Sequence, residues 1–322
     1  MSPPDERFYP PHSFGALPAE YTAFDRARVA ILPVPYDSTT TARAGARDGP
    51  AAIIAASADM ELYDVGLGFE PYRWGIHTLP ELAPLSGDAG ATIARVEQVV
   101  AELAEAGKFV VTLGGEHTVA VGAARAHAAR TPGLSVLAID AHADMRDSYL
   151  GSPYNHACTL RRISEVVLPP GRITQVGLRS AEAEEFAYIR ERGFAYYQPR
   201  DYRALPNGPR EVVAHLSQDV YLTIDLDGID PSQMAAVGTP EPGGLLWDEL
   251  VELLAAVVQP AAPALSEVEG TRDPRPATRP RRIVGFDVTE LAPDEGPRAC
   301  AQLAAKLAYR LIGLALGPPG EA

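Results

Sequence analysis

Short apolar runs recur along the chain, separated by stretches whose apolar residues return every three or four positions. Residues 29–32, 73–79, 109–113, 134–139, 173–176, 194–197, 220–224 and 283–288 read as eight strands. Ile93, Val96, Val100 and Leu103 make 91–106 an amphipathic helix, with Gly107 as its stop. Leu250, Leu253, Leu254 and Val257 do the same for 247–258, which ends before Pro260. An Ala-rich helix from about residue 51, a short one after the third strand, a Glu-rich one at 181–192 and a closing one at 298–315 complete the pattern. Strands apolar on both faces and alternating with helices indicate a parallel sheet covered on both sides. Eight such units fit a closed barrel or an open doubly wound sheet, and periodicity leaves both open.

Two stretches fall outside the alternation. Residues 1–27, rich in proline and aromatics, read as an N-terminal arm that packs on the body or on a neighbour. Residues 260–282, rich in proline and arginine, read as a surface loop, longer than such connections usually are. Residues 28–322 are otherwise expected to form one domain.

Composition narrows the partners. A net charge of −14 argues against a nucleic-acid surface and suits a cationic small molecule. Cys158 and Cys300 are the only cysteines, so no disulfide framework is implied. The N-terminus lacks a signal pattern, and no apolar run approaches the ~20 residues that cross a bilayer. The expectation is a cytoplasmic protein with no membrane partner.

Polar residues gather where three of the strands end. The third runs into Gly114-Gly-Glu-His117, the fourth into Asp140-Ala-His-Ala-Asp144, the seventh into Asp225-Leu-Asp227. In an extended strand alternate side chains share a face, which would group Asp140, His142 and Asp144, and likewise Asp225 with Asp227. Taken singly each cluster has a plain reading. His117 could be a satisfied core histidine. Asp225 and Asp227 could open a turn, since Gly228, Asp230 and Pro231 follow. Together they fall where parallel sheets bind ligands, beyond the carboxyl ends of the strands. Four carboxylates and two imidazoles are too many for one ion. They suit two divalent cations sharing bridging carboxylates, whose charge the four carboxylates balance. Oxygen-rich donors without thiolate favour Mn²⁺ over Zn²⁺. Such a pair acidifies a bound water, so the expected reaction class is metal-assisted hydrolysis.

The three motifs, the last extending as Thr223-Ile-Asp-Leu-Asp-Gly-Ile-Asp-Pro231, resemble the signatures of the ureohydrolases. That family includes arginase, agmatinase, guanidinobutyrase and formiminoglutamase. The likeness runs from about Val29 to the final helix and takes in Arg43-Ala-Gly-Ala-Arg-Asp-Gly-Pro50 and Gly238-Thr-Pro-Glu-Pro-Gly-Gly-Leu245. The resemblance implies a three-layer α/β/α sandwich with a mostly parallel eight-stranded sheet. It implies one Mn²⁺ held by His117, Asp140, Asp144 and Asp225, and a second by Asp140, His142, Asp225 and Asp227. His156 matches the loop histidine credited with proton transfer, and Glu290 the carboxylate that holds the guanidinium; Glu241 joins it as a substrate-binding candidate. Asp230 is left structural. Two departures stand out: Thr118 replaces the serine usual after the first histidine, and Ala157 stands where arginases have glycine. The second departure, with no basic cluster beside His156, leans away from arginine. The implied activity is urea release from a guanidino compound, agmatine first, giving putrescine. N1-aminopropylagmatine and guanidinobutyrate come next, then formiminoglutamate and arginine, and last a non-catalytic binding subunit. A homo-oligomer, trimer or hexamer, is also implied.

Overall fold

The computed structural model describes residues 12–167, 172–259 and 280–320. The apolar runs are strands because their side chains alternate between two cores. In β1 (Val29–Val34) Val29 and Ile31 enter one core and Ala30 and Leu32 the other. In β4 (Ser135–Ile139) Leu137 and Ile139 pair with the first core, Val136 and Ala138 with the second. Each fully buried Leu or Ile side chain contributes about 1.5–3 kcal/mol, so a strand wetted on either face would forfeit much of its stabilisation. One face is covered by the helices Gly49–Ser57, Trp247–Val258 and Ala299–Leu316. The other is covered by Ala89–Glu105, Ala120–Arg130, Thr159–Ser164 and Ala183–Arg192.

With β2 (Ile76–Thr78), β3 (Phe109–Gly114), β5 (Ile173–Val176), β6 (Ala195–Tyr197), β7 (Asp219–Asp225) and β8 (Arg282–Thr289), the sheet runs in the order β2-β1-β3-β8-β7-β4-β5-β6. Every neighbouring pair is parallel. The sheet is open, with β2 and β6 at its edges, which decides between the barrel and the sandwich. Register then places the chemistry. Leu113 pairs with Val288, Val288 with Ile224 and Ile224 with Ile139, so the four central strands end in step. Whatever follows them shares one edge of the sheet, where the chain has reversed its direction of winding and a crevice opens.

Differences from the sequence reading are local. The second strand is Ile76–Thr78 rather than 73–79, because Pro71 opens a 3₁₀ turn over Pro71–Trp74. Two short helices, Pro199–Arg203 and Pro209–Val213, fill a stretch with no periodicity to reveal them; each starts on a proline, a helix-opening signal. Residues 12–27 of the expected arm lie on the body: Phe14 and Leu17 are buried, and the Phe14 amide donates to Thr78 Oγ1 at 2.9 Å. Residues 1–11 of that arm and 260–279 of the expected loop lie outside the described residues. Ala299–Leu316 is long and apolar enough to cross a bilayer by composition, yet Ala304, Leu307, Ala308, Leu311 and Ile312 are fully buried in the core.

Candidate active site

At the end of β3 the chain folds back against the end of β1. A Cβ at Gly115 would sit 2.1 Å from the Tyr36 carbonyl oxygen, so only glycine lets the turn pass. The turn delivers His117, fully buried, at the start of the 3₁₀ segment His117–Val119. Its Nδ1 lies 3.0 Å from Asp144 Oδ2, 3.3 Å from Asp140 Oδ2 and 3.4 Å from Asp225 Oδ2. Its Nε2 is 2.9 Å from Thr223 Oγ1, and that hydroxyl donates to Asp287 Oδ1 at 2.9 Å. Tyr221 donates to the other oxygen of Asp287 at 2.6 Å. With its proton committed to Asp287, Thr223 can only accept from Nε2–H. Nδ1 is thereby the nitrogen left to face the carboxylates, the arrangement a metal-ligating histidine requires.

Asp140, His142 and Asp144 converge, but not by strand alternation. The sheet ends at Ile139, and residues 140–144 run on irregularly, tied to the neighbouring chain by the Asp140 amide to Val176 O (3.2 Å) and the Ala143 amide to Ser180 O (3.0 Å). Asp144 turns inward with φ +50°, a left-handed conformation that costs an L-residue about 1–2 kcal/mol. Asp225 closes β7, and Asp227 sits in the 3₁₀ turn Leu226–Gly228. Asp225 Oδ1 caps that turn by accepting the Asp227 amide at 2.9 Å. The turn expected of this pair is thus present, and it leaves Asp225 Oδ2 facing His117 Nδ1 at 3.4 Å. A Cβ at Gly228 would come within 2.8 Å of the Asp140 nitrogen, so glycine there lets the ends of β4 and β7 touch.

Burial and like charge govern the electrostatics. Burial and the adjacent Asp144 push the Asp140 carboxyl up to about 7. Burial, Asp227 and Asp140 hold Asp225 well above the usual carboxylate range. Burial would lower both histidines, but the surrounding carboxylates outweigh it. His117 is raised well above its ordinary value and His142, 2.8 Å from Asp227, to about 10. Burial also opposes ionisation of Asp227, yet His142 brings it down to about 2. So much negative charge in a dry site asks for cations.

Whether the donors suit metal can be judged from the orphaned atom. Asp140 Oδ1 accepts the His142 amide at 2.6 Å, whereas Oδ2, buried 3.3 Å from His117 Nδ1, accepts no hydrogen bond among the described residues. Around it, ligand atoms of His117, Asp140 and Asp144 lie within 4.8 Å of one another, as do those of Asp140, His142 and Asp227. Asp140 belongs to both sets, as a bridging ligand would. The donors are carboxylate oxygen and imidazole nitrogen only, a set that fits a hard or borderline divalent ion.

The other three expected residues surround this cluster. His156 begins the 3₁₀ turn His156–Cys158, with Nε2 3.1 Å from Thr41 Oγ1 and Nδ1 3.9 Å from Glu290 Oε1. Glu290 follows β8 in a left-handed conformation, φ +68°. Its Oε1 accepts the His117 amide at 2.7 Å, and burial with Glu116 nearby raises it to about 8. Glu241 stands at the rim, Oε1 3.8 Å from His142 Nε2. The cleft above, about 260 Å³, is lined by His142, Asp144, His156, Asp225 and Asp227; Glu290 is not among its lining residues.

Thr39, Thr41 and Arg179 escaped the sequence reading. Arg179 donates to the carbonyls of Asp227 (2.8 Å), Glu241 (2.7 Å) and Pro242 (3.0 Å), tying the β7 turn to the rim loop. It lies just beyond β5, so the rule that found the other clusters could have found it. Thr223 lay within the third motif, and Asp287 within the strand 283–288, without a role.

The sequence profile of the arginase family matches residues 27–313. The chain belongs to the arginase family. It is 37% identical over 318 residues to the N(1)-aminopropylagmatine ureohydrolase of Synechocystis sp., covering 94% of this chain and 96% of that protein. To the agmatinase of Bacillus anthracis it is 31% identical over 288 residues, covering 89% and 91%. Among solved structures, the agmatine ureohydrolase of Thermoplasma volcanium superposes with a TM-score of 0.80 at 30% identity, covering 96% of each chain. The α/β/α sandwich is thus the arginase-family fold, and the cluster lies where its three motifs end.

Proposed function

We propose that this arginase-family hydrolase releases urea from an agmatine-type guanidine, with two Mn²⁺ ions bound at the strand ends. The observation that carries the reading is the pair of overlapping donor sets sharing Asp140, whose Oδ2 accepts no hydrogen bond among the described residues. His117, Asp140, Asp144 and Asp225 would hold one ion, and Asp140, His142, Asp225 and Asp227 the other. When bound, such a pair supplies an acidified water and hence hydroxide near neutral pH. The chain's own residues do the rest. Glu290 is the carboxylate assigned to the guanidinium, a planar, permanently charged group; its Oε1 holds the His117 amide, so Oε2 is the oxygen that would meet the substrate. His156 hands a proton from Nδ1 to the departing amine nitrogen. Burial lowers that imidazole below its ordinary value, which makes its protonated form the stronger acid. Water and the guanidine thus become urea and a free amine.

A second reading, with N1-aminopropylagmatine as the substrate, is favoured by the cleft's extension. Beyond His142 and His156 it runs past Tyr149 to Glu182, Glu184 and Glu185, where Arg146 pairs with Glu182 at 2.9 Å and the carboxylates still outnumber it, leaving room for a longer polycation. The relatives bearing that name are also the more similar ones, at 37% against 31% for the agmatinase. Urea release measured with Mn²⁺ across agmatine, N1-aminopropylagmatine, guanidinobutyrate and arginine ranks the readings. Agmatine or its aminopropyl derivative should lead by kcat/KM, and no release from any of the four would overturn the proposal.

A further inference from the structure

Glu116 is fully buried, and among the described residues no arginine or lysine forms an ion pair with it. A buried carboxylate of this kind costs several kcal/mol unless neutral donors satisfy it. Thr39 reaches both of its oxygens, Oε2 accepting the Thr39 amide at 2.7 Å and Oε1 the Thr39 hydroxyl at 2.6 Å, and the Thr118 hydroxyl bonds the same carboxylate. Thr39 in turn reaches the loop that carries His156. Its Oγ1 accepts the His156 amide at 2.9 Å, and its carbonyl accepts Asn155 Nδ2 at 3.0 Å. Two residues on, Thr41 Oγ1 meets the His156 ring at Nε2, 3.1 Å away.

The hydroxyl geometry gives this chain a direction. Thr39 has one hydroxyl proton, and the carboxylate takes it, so a lone pair must face the His156 amide. Glu116 thus fixes Thr39, Thr39 fixes the backbone of His156, and Thr41 fixes its ring. We infer that Glu116, Thr39 and Thr41 are positioning residues for His156, holding its imidazole where the leaving amine is protonated. Misplacing an acid by an ångström costs turnover more than binding. The arrangement rests on the proposed role of His156 and acts on the chemical step, leaving metal and guanidine binding to the strand-end residues.

Thr39→Val deletes the hydroxyl's bonds to Glu116 and the His156 amide and its longer contact with Thr118, whereas Thr39→Ser keeps the hydroxyl. In the Mn²⁺-loaded enzyme Thr39→Val should lower kcat by about 10–100-fold with KM changed less than about threefold, and Thr39→Ser should recover most of the turnover. Metal content and unfolding temperature are measured beside them. The double variant Thr39→Val/His156→Asn should be no slower than His156→Asn, because Thr39 acts only through that ring. Should Thr39→Val fail to fold, Thr39→Ala replaces it in the same cycle, and Glu116→Gln is read beside it with KM measured separately, because Glu116 also acts on Glu290. The amide offers protons where the carboxylate accepts one, which turns the Thr39 hydroxyl away from its role. Wild-type kcat in the Thr39 or Glu116 variant, or losses that multiply in the double variant, would overturn the inference. Wild-type kcat in His156→Asn would instead overturn the role given to His156 itself.

Discussion

His117 and His127 are both buried, one in the turn that ends β3 and the other in the last turn of the helix that follows. Their environments drive them in opposite directions. His127 stacks beside Tyr221, ring centroids 5.1 Å apart. Burial and then Arg130 push its imidazole down to about 4. His117 suffers the same desolvation, yet three carboxylates within 3.4 Å hold it well above its ordinary value. Burial alone therefore says nothing about function here. What separates a core histidine from a candidate ligand is the company on its ring nitrogens and a hydroxyl that fixes which nitrogen faces that company.

The contrast is broken most severely by removing one of His117's carboxylates. Asp225→Asn should abolish bound Mn²⁺ and lower kcat/KM on the order of 10³-fold, about 4 kcal/mol. Metal analysis and urea release should fall together, and an active, metal-loaded variant would mean that the ligand set is misassigned. Glu290→Gln is a milder probe of the same edge. It should keep both metals and the fold while lowering kcat/KM at least about a hundredfold, ~2.7 kcal/mol. Turnover of agmatine near the wild-type rate would make Glu290 structural. His127 supplies the smallest effect and concerns stability only. With the folded imidazole at about 4 and the unfolded one at its ordinary 6.5, the unfolded chain binds the extra proton between those values. Stability is thus lost as pH falls from about 6.5 towards 4, by roughly 2 kcal/mol at pH 5. Denaturant unfolding at pH 7.5 and pH 5 should give a smaller drop for His127→Leu than for the wild type. Equal drops would place the acid sensitivity elsewhere.

Much of this was legible in the sequence, for reasons that differ by element. β3, β4 and β7 announced themselves because a doubly covered strand must be apolar throughout, so the acids and histidines that end them are conspicuous. The convergence of Asp140, His142 and Asp144 was foreseen for a mistaken geometric reason. They meet through an irregular, partly left-handed segment, which periodicity cannot describe. Thr39 and Thr41 were invisible because nothing in a Ser-Thr run tells which hydroxyl will find a buried carboxylate 77 residues away. Asp287 was hidden differently. It lies within an otherwise apolar strand, and its purpose appears only when Tyr221 and Thr223 are seen beside it.

The most direct test of the account is the amount of metal bound. Purified protein dialysed against Mn²⁺ and then against metal-free buffer should retain close to two ions per chain by elemental analysis. Asp140→Asn, which removes the carboxylate common to both donor sets, should lose them together. A clean stoichiometry of one in the wild type, or full occupancy in Asp140→Asn, would contradict the shared site at the ends of β3, β4 and β7.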